Sequence, residues 1–147
     1  MSDFDPFSHT IVLISPETAW TAKGIAGRGV LVDYASWAKQ KNISYERFAK
    51  HGISLDDIQA IAQMQNLDFR PGDILFLRTG YVEAYRGLTP DRRKEVATLK
   101  EWVGLAQGRE TTQWLWDRQF AAVASDSPGF ECRRKLSSPR DFCFPSS

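Results

Sequence analysis

Histidine and cysteine are scarce in this 147-residue chain: it has only His9 and His51, and only Cys132 and Cys143. Two cysteines close to the C-terminus cannot build the multi-bridge framework of a small secreted domain, and they lack the spacing of a four-ligand zinc site. No His-x-x-His or Cys-x-x-Cys pair occurs. An excess of charge of one sign is missing too. Nineteen Lys and Arg face eighteen Asp and Glu, for a net charge of +1, so composition supplies no overall field for holding nucleic acid or an anionic membrane. Neither partner is expected. The apolar run near the N-terminus, Ile11 to Ile14, is far shorter than a signal h-region or a membrane span. The expected compartment is therefore the cytoplasm, where the Asn42-Ile43-Ser44 glycosylation pattern carries no weight.

What is present is an alternation of short apolar runs with helical patterns, which predicts a mixed α/β domain or an α+β one. The runs Ile11–Ile14, Gly29–Val32, Ile74–Leu77 and Phe120–Ala124 read as strands buried on both faces, because each is apolar almost throughout. Asp33 can cap a helix with Tyr34, Trp37, Ala38 and Lys41 on one face. Ser54 and Asp57 have the spacing of a capping box ahead of the stripe Leu55, Ile58, Ile61 and Ala62. Arg70-Pro71-Gly72-Asp73 predicts a turn into the Ile74 strand. Thr89-Pro90-Asp91 reads as N-cap, N1 and an early acid, opening a helix that runs to about 99–103. Another helix is expected near Glu110–Asp117, where Trp114 and Trp116 cannot both face one neighbour. After Glu131 both periodicities stop, and residues 132–147 carry four basic residues against one acidic; they read as an unstructured basic tail.

The residues that could carry chemistry are few. Gly24, Gly27 and Gly29 precede a strand, whereas a dinucleotide fingerprint follows a strand and opens a helix, and the Gly-Lys-Ser/Thr ending of a P-loop is absent. The glycines therefore read as a turn into Val30–Val32. No Gly-x-Ser-x-Gly elbow exists. His51 reads as a loop or capping residue before Ser54. Asp126 and Glu131 sit at and beyond the end of a strand, where α/β folds place functional groups, although Asp126-Ser-Pro-Gly129 is equally a structural turn.

Three segments carry a family resemblance: Gly27-Arg-Gly-Val-Leu-Val-Asp-Tyr34, Phe69-Arg-Pro-Gly-Asp-Ile-Leu-Phe-Leu-Arg-Thr-Gly80, and Trp114-Leu-Trp-Asp117 with Phe120-Ala-Ala-Val-Ala-Ser-Asp126. In this order they are similar to the central part of the cyclase family of kynurenine formamidase-like and isatin hydrolase-like enzymes, with the longer fungal members the nearest in pattern. The match spans about residues 20–131, leaving 1–19 as a divergent N-terminal segment. The resemblance implies an α/β domain, incomplete here, with a barrel-like sheet flanked by helices, and hydrolysis of amide bonds in N-formyl or cyclic substrates with zinc or manganese.

The resemblance also implies metal ligands from a His-x-Gly-Thr-His-x-Asp pattern upstream and from a His and a Glu downstream. Before Trp20 this chain offers His9 alone, and after Glu131 it has neither histidine nor glutamate. No metal ligand carries over, and no cofactor is expected. The loss is chemically severe, because the metal polarises the carbonyl and lowers the pKa of its bound water from about 15.7 to about 7.

The expectation is a shortened cyclase-family hydrolase homologue, connected with a fungal secondary-metabolite pathway and without metal-dependent hydrolysis of its own. If Arg28, Asp33, Arg78, Asp126 and Glu131 line one pocket, they bind a small oxygen-rich aromatic or cyclic ligand. The alternatives are a non-catalytic paralogue that binds a ligand, a second copy or a full-length paralogue through exposed apolar edges at Phe76, Phe120 or Trp114–Trp116, and a fragment produced by a wrong gene boundary.

Overall fold

A computed structural model describes residues 24–133. The strand expected at 11–14, His9, Cys143 and the tail beyond Arg133 lie outside the described residues. The described chain is a mixed α/β unit. Strands β1 (Gly29–Asp33), β3 (Ile74–Arg78) and β5 (Ala122–Ser125) form a parallel sheet in the order β1-β3-β5, while β2 (His51–Ile53) and β4 (Val103–Leu105) form a parallel pair. The helices are α1 (Tyr34–Gln40), α2 (Leu55–Met64), α3 (Tyr81–Arg86), α4 (Pro90–Thr98) and α5 (Arg109–Asp117).

The three strands of the larger sheet fall at the expected apolar runs, the third beginning two residues later than expected, but among the described residues they are covered on one face only. Val30, Val32, Leu75 and Leu77 are buried, whereas Leu31 is 48% and its register partner Phe76 41% exposed. Successive side chains of a strand point to opposite faces, so the near-continuous apolar runs need two covering layers, and the described helices supply one. Among the described residues no closed barrel forms. The core lies between this sheet, α1 and α2, with Tyr34, Trp37, Ile58, Ile61, Ile53, Val103 and Leu105 in contact.

Local chemistry sets the helix starts. Asp33 accepts the Ser36 N–H at 3.0 Å and the Ser36 hydroxyl at 2.8 Å. Ser54 and Asp57 form the reciprocal capping box, and Thr89 caps α4 with Pro90 at its first position. Helix α1 ends at Gln40, leaving the exposed Lys41 as its C-cap.

The helix end expected at 99–103 and the reading of His51 are also corrected. Helix α4 stops at Thr98, Leu99 turns extended, and Val103–Leu105 is a strand rather than a helix end. His51, read as a loop or capping residue, begins strand β2. Strands of three residues are too short for alternation to register; they exist because each supplies the other's ladder. Gly104 permits the chain to pass over β4: a Cβ there would lie 2.6 Å from the backbone nitrogen of Cys132, whose N–H donates to the Leu105 carbonyl at 2.9 Å. Cys132 is buried.

The paired tryptophans divide as their helical spacing requires. Trp114 is buried against Phe69 and Phe120, with ring centroids 5.7 and 5.5 Å away, and Trp116 is 81% exposed. Phe120, expected within the strand, lies before it and packs edge-on to Phe69.

Candidate functional site

Parallel strands deliver their last residues to one edge, and there the sequence places Asp33, Arg78 and Asp126. Register sets Asp33 opposite Arg78. The Arg78 Nη1 donates to both Asp33 oxygens, at 2.9 and 3.0 Å, and to the Ser36 hydroxyl at 3.2 Å, while its Nη2 reaches Glu83 at 2.6 Å. Burial alone would push the Asp33 carboxyl up, but the Ser36 N–H and hydroxyl together with Arg78 overcome it and hold the group below its ordinary value. Asp126 serves the neighbouring junction. One of its oxygens accepts the Thr79 N–H at 2.6 Å and the Thr79 hydroxyl at 2.7 Å, and the other accepts the Val82 N–H at 3.4 Å.

The remaining two expected site residues stand elsewhere. Arg28 is at the opposite end of β1 from Asp33, about 16 Å away at strand rise. There it clasps the buried Asp73 through two bonds of 2.8 and 2.6 Å. The Arg28 guanidinium, with the Arg70 N–H, holds the Asp73 carboxyl below its usual range against the effect of burial. Glu131 bridges to Leu105 through its backbone, and its side chain accepts from Gln107 at 3.2 Å.

Beside Arg78 opens a cleft of about 800 Å³ whose walls include Ser36, Lys39, Tyr45, Arg47, Gly80 and Glu83. Of the five residues read as site candidates, Arg78 lines it. Tyr45 is the aromatic residue of its lining. Tyr45 donates to the Thr79 carbonyl at 2.6 Å and stacks on His51 at 5.0 Å, while the Arg47 guanidinium lies over the Tyr45 ring at 4.7 Å. Gly80 is buried with φ +77°, and a Cβ there would meet Ala35 at 3.2 Å. That conformation and that space both favour glycine.

Behind this wall the Tyr34 hydroxyl and His51 Nε2 share a 2.8 Å hydrogen bond. Burial, then Asp57 and Tyr45, push the Tyr34 phenol up to about 12, while burial pushes His51 down against an opposing pull from Asp57. Both groups are uncharged at neutral pH.

Tyr45, Arg47, Thr79 and the Tyr34–His51 pair were not legible as site residues, because they converge from α1, the α1–β2 connection, β2 and the end of β3 without any shared spacing. Asp73 carried one signal, an acid placed directly before an apolar run.

A hydrolytic zinc or manganese ion takes three protein donors and keeps a position open for water. Among the described residues no group of three His, Cys, Asp or Glu side chains could hold one. Asp33 and Asp126 are each committed to strand-end contacts, and the single described histidine is hydrogen-bonded to Tyr34. The described residues do not fit such an ion. Among them, no helix is long and apolar enough to cross a membrane.

Fold and site together define a parallel α/β domain with polar groups gathered at the carboxyl ends of its strands, the position where such sheets meet ligands. The family whose description reads "Putative cyclase" matches residues 3–132, and the chain belongs to that cyclase family. It is similar to a solved protein titled "Crystal structure of a novel cyclase", with 30% sequence identity and a TM-score of 0.62. The match covers 76% of this chain and 35% of that one, so the chain spans about a third of the solved protein's length. No curated protein matches.

Proposed function

We propose that this chain is a kynurenine formamidase-like member of the cyclase family that holds a small oxygen-rich aromatic or cyclic ligand in the cleft beside Arg78, without hydrolysing it through the described residues. The observation that carries this reading is the commitment of the strand-end acids. Asp33 is spent on Arg78 and Ser36, and Asp126 on Thr79 and Val82, so the carboxylates that could activate water serve as struts while the cleft beside them stays accessible. The resemblance to longer fungal members is the support for assigning the ligand to a secondary-metabolite pathway.

The test is direct. Purified full chain, dialysed with zinc or manganese, is expected to bind no stoichiometric divalent metal by elemental analysis and to leave N-formyl aromatic amides and cyclic amides unhydrolysed. Stoichiometric metal together with turnover would overturn the reading.

A second reading, association of two copies through the open sheet face, is favoured by one observation: Leu31 and Phe76 are adjacent in register and both exposed. Aromatic and branched apolar side chains on an uncovered face favour association. Sedimentation should then reveal a concentration-dependent dimer that Phe76→Ser weakens; a monomer at every concentration removes this reading.

A further inference from the structure

The charges around the cleft are unequally used. Arg78 is neutralised twice, by Asp33 and by Glu83. Lys39 and Arg47 line the same cleft and form no ion pair among the described residues. Lys39 is exposed on the last turn of α1, where a cation is expected for the helix dipole. Arg47 has no such bland explanation. It is half-buried and laid on the Tyr45 ring, which is itself fixed by its bond to the Thr79 carbonyl and its stack on His51. Its backbone is tied down as well, since the Arg47 carbonyl accepts the Val103 N–H at 3.4 Å.

A guanidinium held against an aromatic plane has lost much of its freedom before any ligand arrives, and its planar fork matches a carboxylate through two parallel hydrogen bonds. Ile43, Ala84 and Leu88 on the same walls offer apolar surface to the rest of such a ligand. With Arg78 already balanced, a singly charged anion suits the surplus better than a dianion, because Glu83 also lines the cleft and repels further negative charge.

We propose that this cleft is a binding site for a small organic carboxylate, with Arg47 taking the carboxylate, Lys39 adding attraction at the mouth, and the ring or chain of the ligand resting on the apolar wall. The proposal rests on the ligand-holding reading above and specifies the charge of that ligand.

The experiment is a heteronuclear NMR titration of the full chain with benzoate, with its neutral isostere benzamide, and with phenyl phosphate. Benzoate should bind saturably, with the largest shifts at Ser36, Gly80 and Ala84, and added salt should weaken it. Arg47→Gln should weaken benzoate roughly tenfold or more, Arg47→Lys less, and Lys39→Gln by roughly threefold, as expected for charge-assisted bonds in a partly shielded site. Arg109→Gln, on helix α5 and outside the cleft lining, should change nothing, and unshifted resonances away from the cleft should verify that each variant is folded.

Benzamide binding as tightly as benzoate, with Arg47→Gln indifferent, would overturn the carboxylate assignment and leave the ligand-holding reading standing. Tighter binding of phenyl phosphate would overturn the single-charge argument. Failure of all three probes to saturate would overturn both this inference and the reading on which it rests.

Discussion

The Thr79 N–H and hydroxyl converge on a single oxygen of Asp126, at 2.6 and 2.7 Å, and so tie the end of β3 to the end of β5. The second oxygen of Asp126 reaches the Val82 N–H at 3.4 Å, giving α3 the acceptor that its own N-cap, Gly80, cannot provide. One side chain therefore closes a strand junction and opens a helix.

Removing that acceptor leaves the fully buried Thr79 N–H unsatisfied. Asp126→Ala is expected to destabilise the fold by about 2 kcal/mol, and Asp126→Asn by less, since its amide oxygen can still accept. Urea unfolding followed by tryptophan fluorescence is the measurement; equal stability of Asp126→Ala and the parent would refute the junction role.

The Asp73 carboxyl is held below 3.8 by Arg28. A group whose folded pKa is depressed contributes stability that is present above the unfolded value and is lost as pH falls through the folded one. Melting temperature should therefore fall steeply as pH drops below 3.8, and Asp73→Asn should lower it at neutral pH while flattening that acid limb. An unchanged limb would mean that other carboxylates carry it.

His51 yields a second and separate pH effect. Burial lowers its folded pKa below 6.5, so the neutral ring is favoured in the fold and stability declines as pH falls from 6.5 through that lowered value. His51→Gln, which cannot charge, should remove this decline between neutral and mildly acidic pH. Parallel stability profiles of parent and variant would count against it.

A Cβ at Gly104 would sit 2.6 Å from backbone atoms of both Glu131 and Cys132. Gly104→Ala should cost about 3 kcal/mol, the upper end of overpacking penalties, and should expose the Cys132 thiol to alkylation. Slow labelling at the parent rate would contradict the close approach.

For Ser54→Ala the expected loss is about 1 kcal/mol, because the Ser54 hydroxyl that accepts the Asp57 N–H at 3.1 Å is removed, while the reciprocal bond from the backbone N–H of residue 54 to the Asp57 carboxylate survives. Thermal melts of Ser54→Ala and Ser54→Thr separate the roles: threonine should restore most of the loss.

How much of this was legible beforehand follows from the range of each interaction. The caps at Asp33, Ser54 and Thr89, the turn before Ile74 and the three longer strands are each set within a few neighbouring residues, and the chain alone determined them. The mixed α/β class was legible in the same way, from apolar runs separated by amphipathic stretches, while the parallel direction of the strands came from the structure.

Tertiary structure decided the rest. Whether a strand is covered on one face or two depends on which helices are available to it, and Leu31 and Phe76 look as buried as Val32 in the sequence. The pair β2 and β4 joins residues about fifty apart, and neither strand has enough length to announce itself. Asp33 and Asp126 look like free acids until register and the strand-end junction bring Arg78 and Thr79 to them. Arg47 looks like one surface charge among many until Tyr45 fixes it at the wall of a cleft. Local pattern reports what a residue prefers, but the partner that consumes or frees its charge comes from a distant segment.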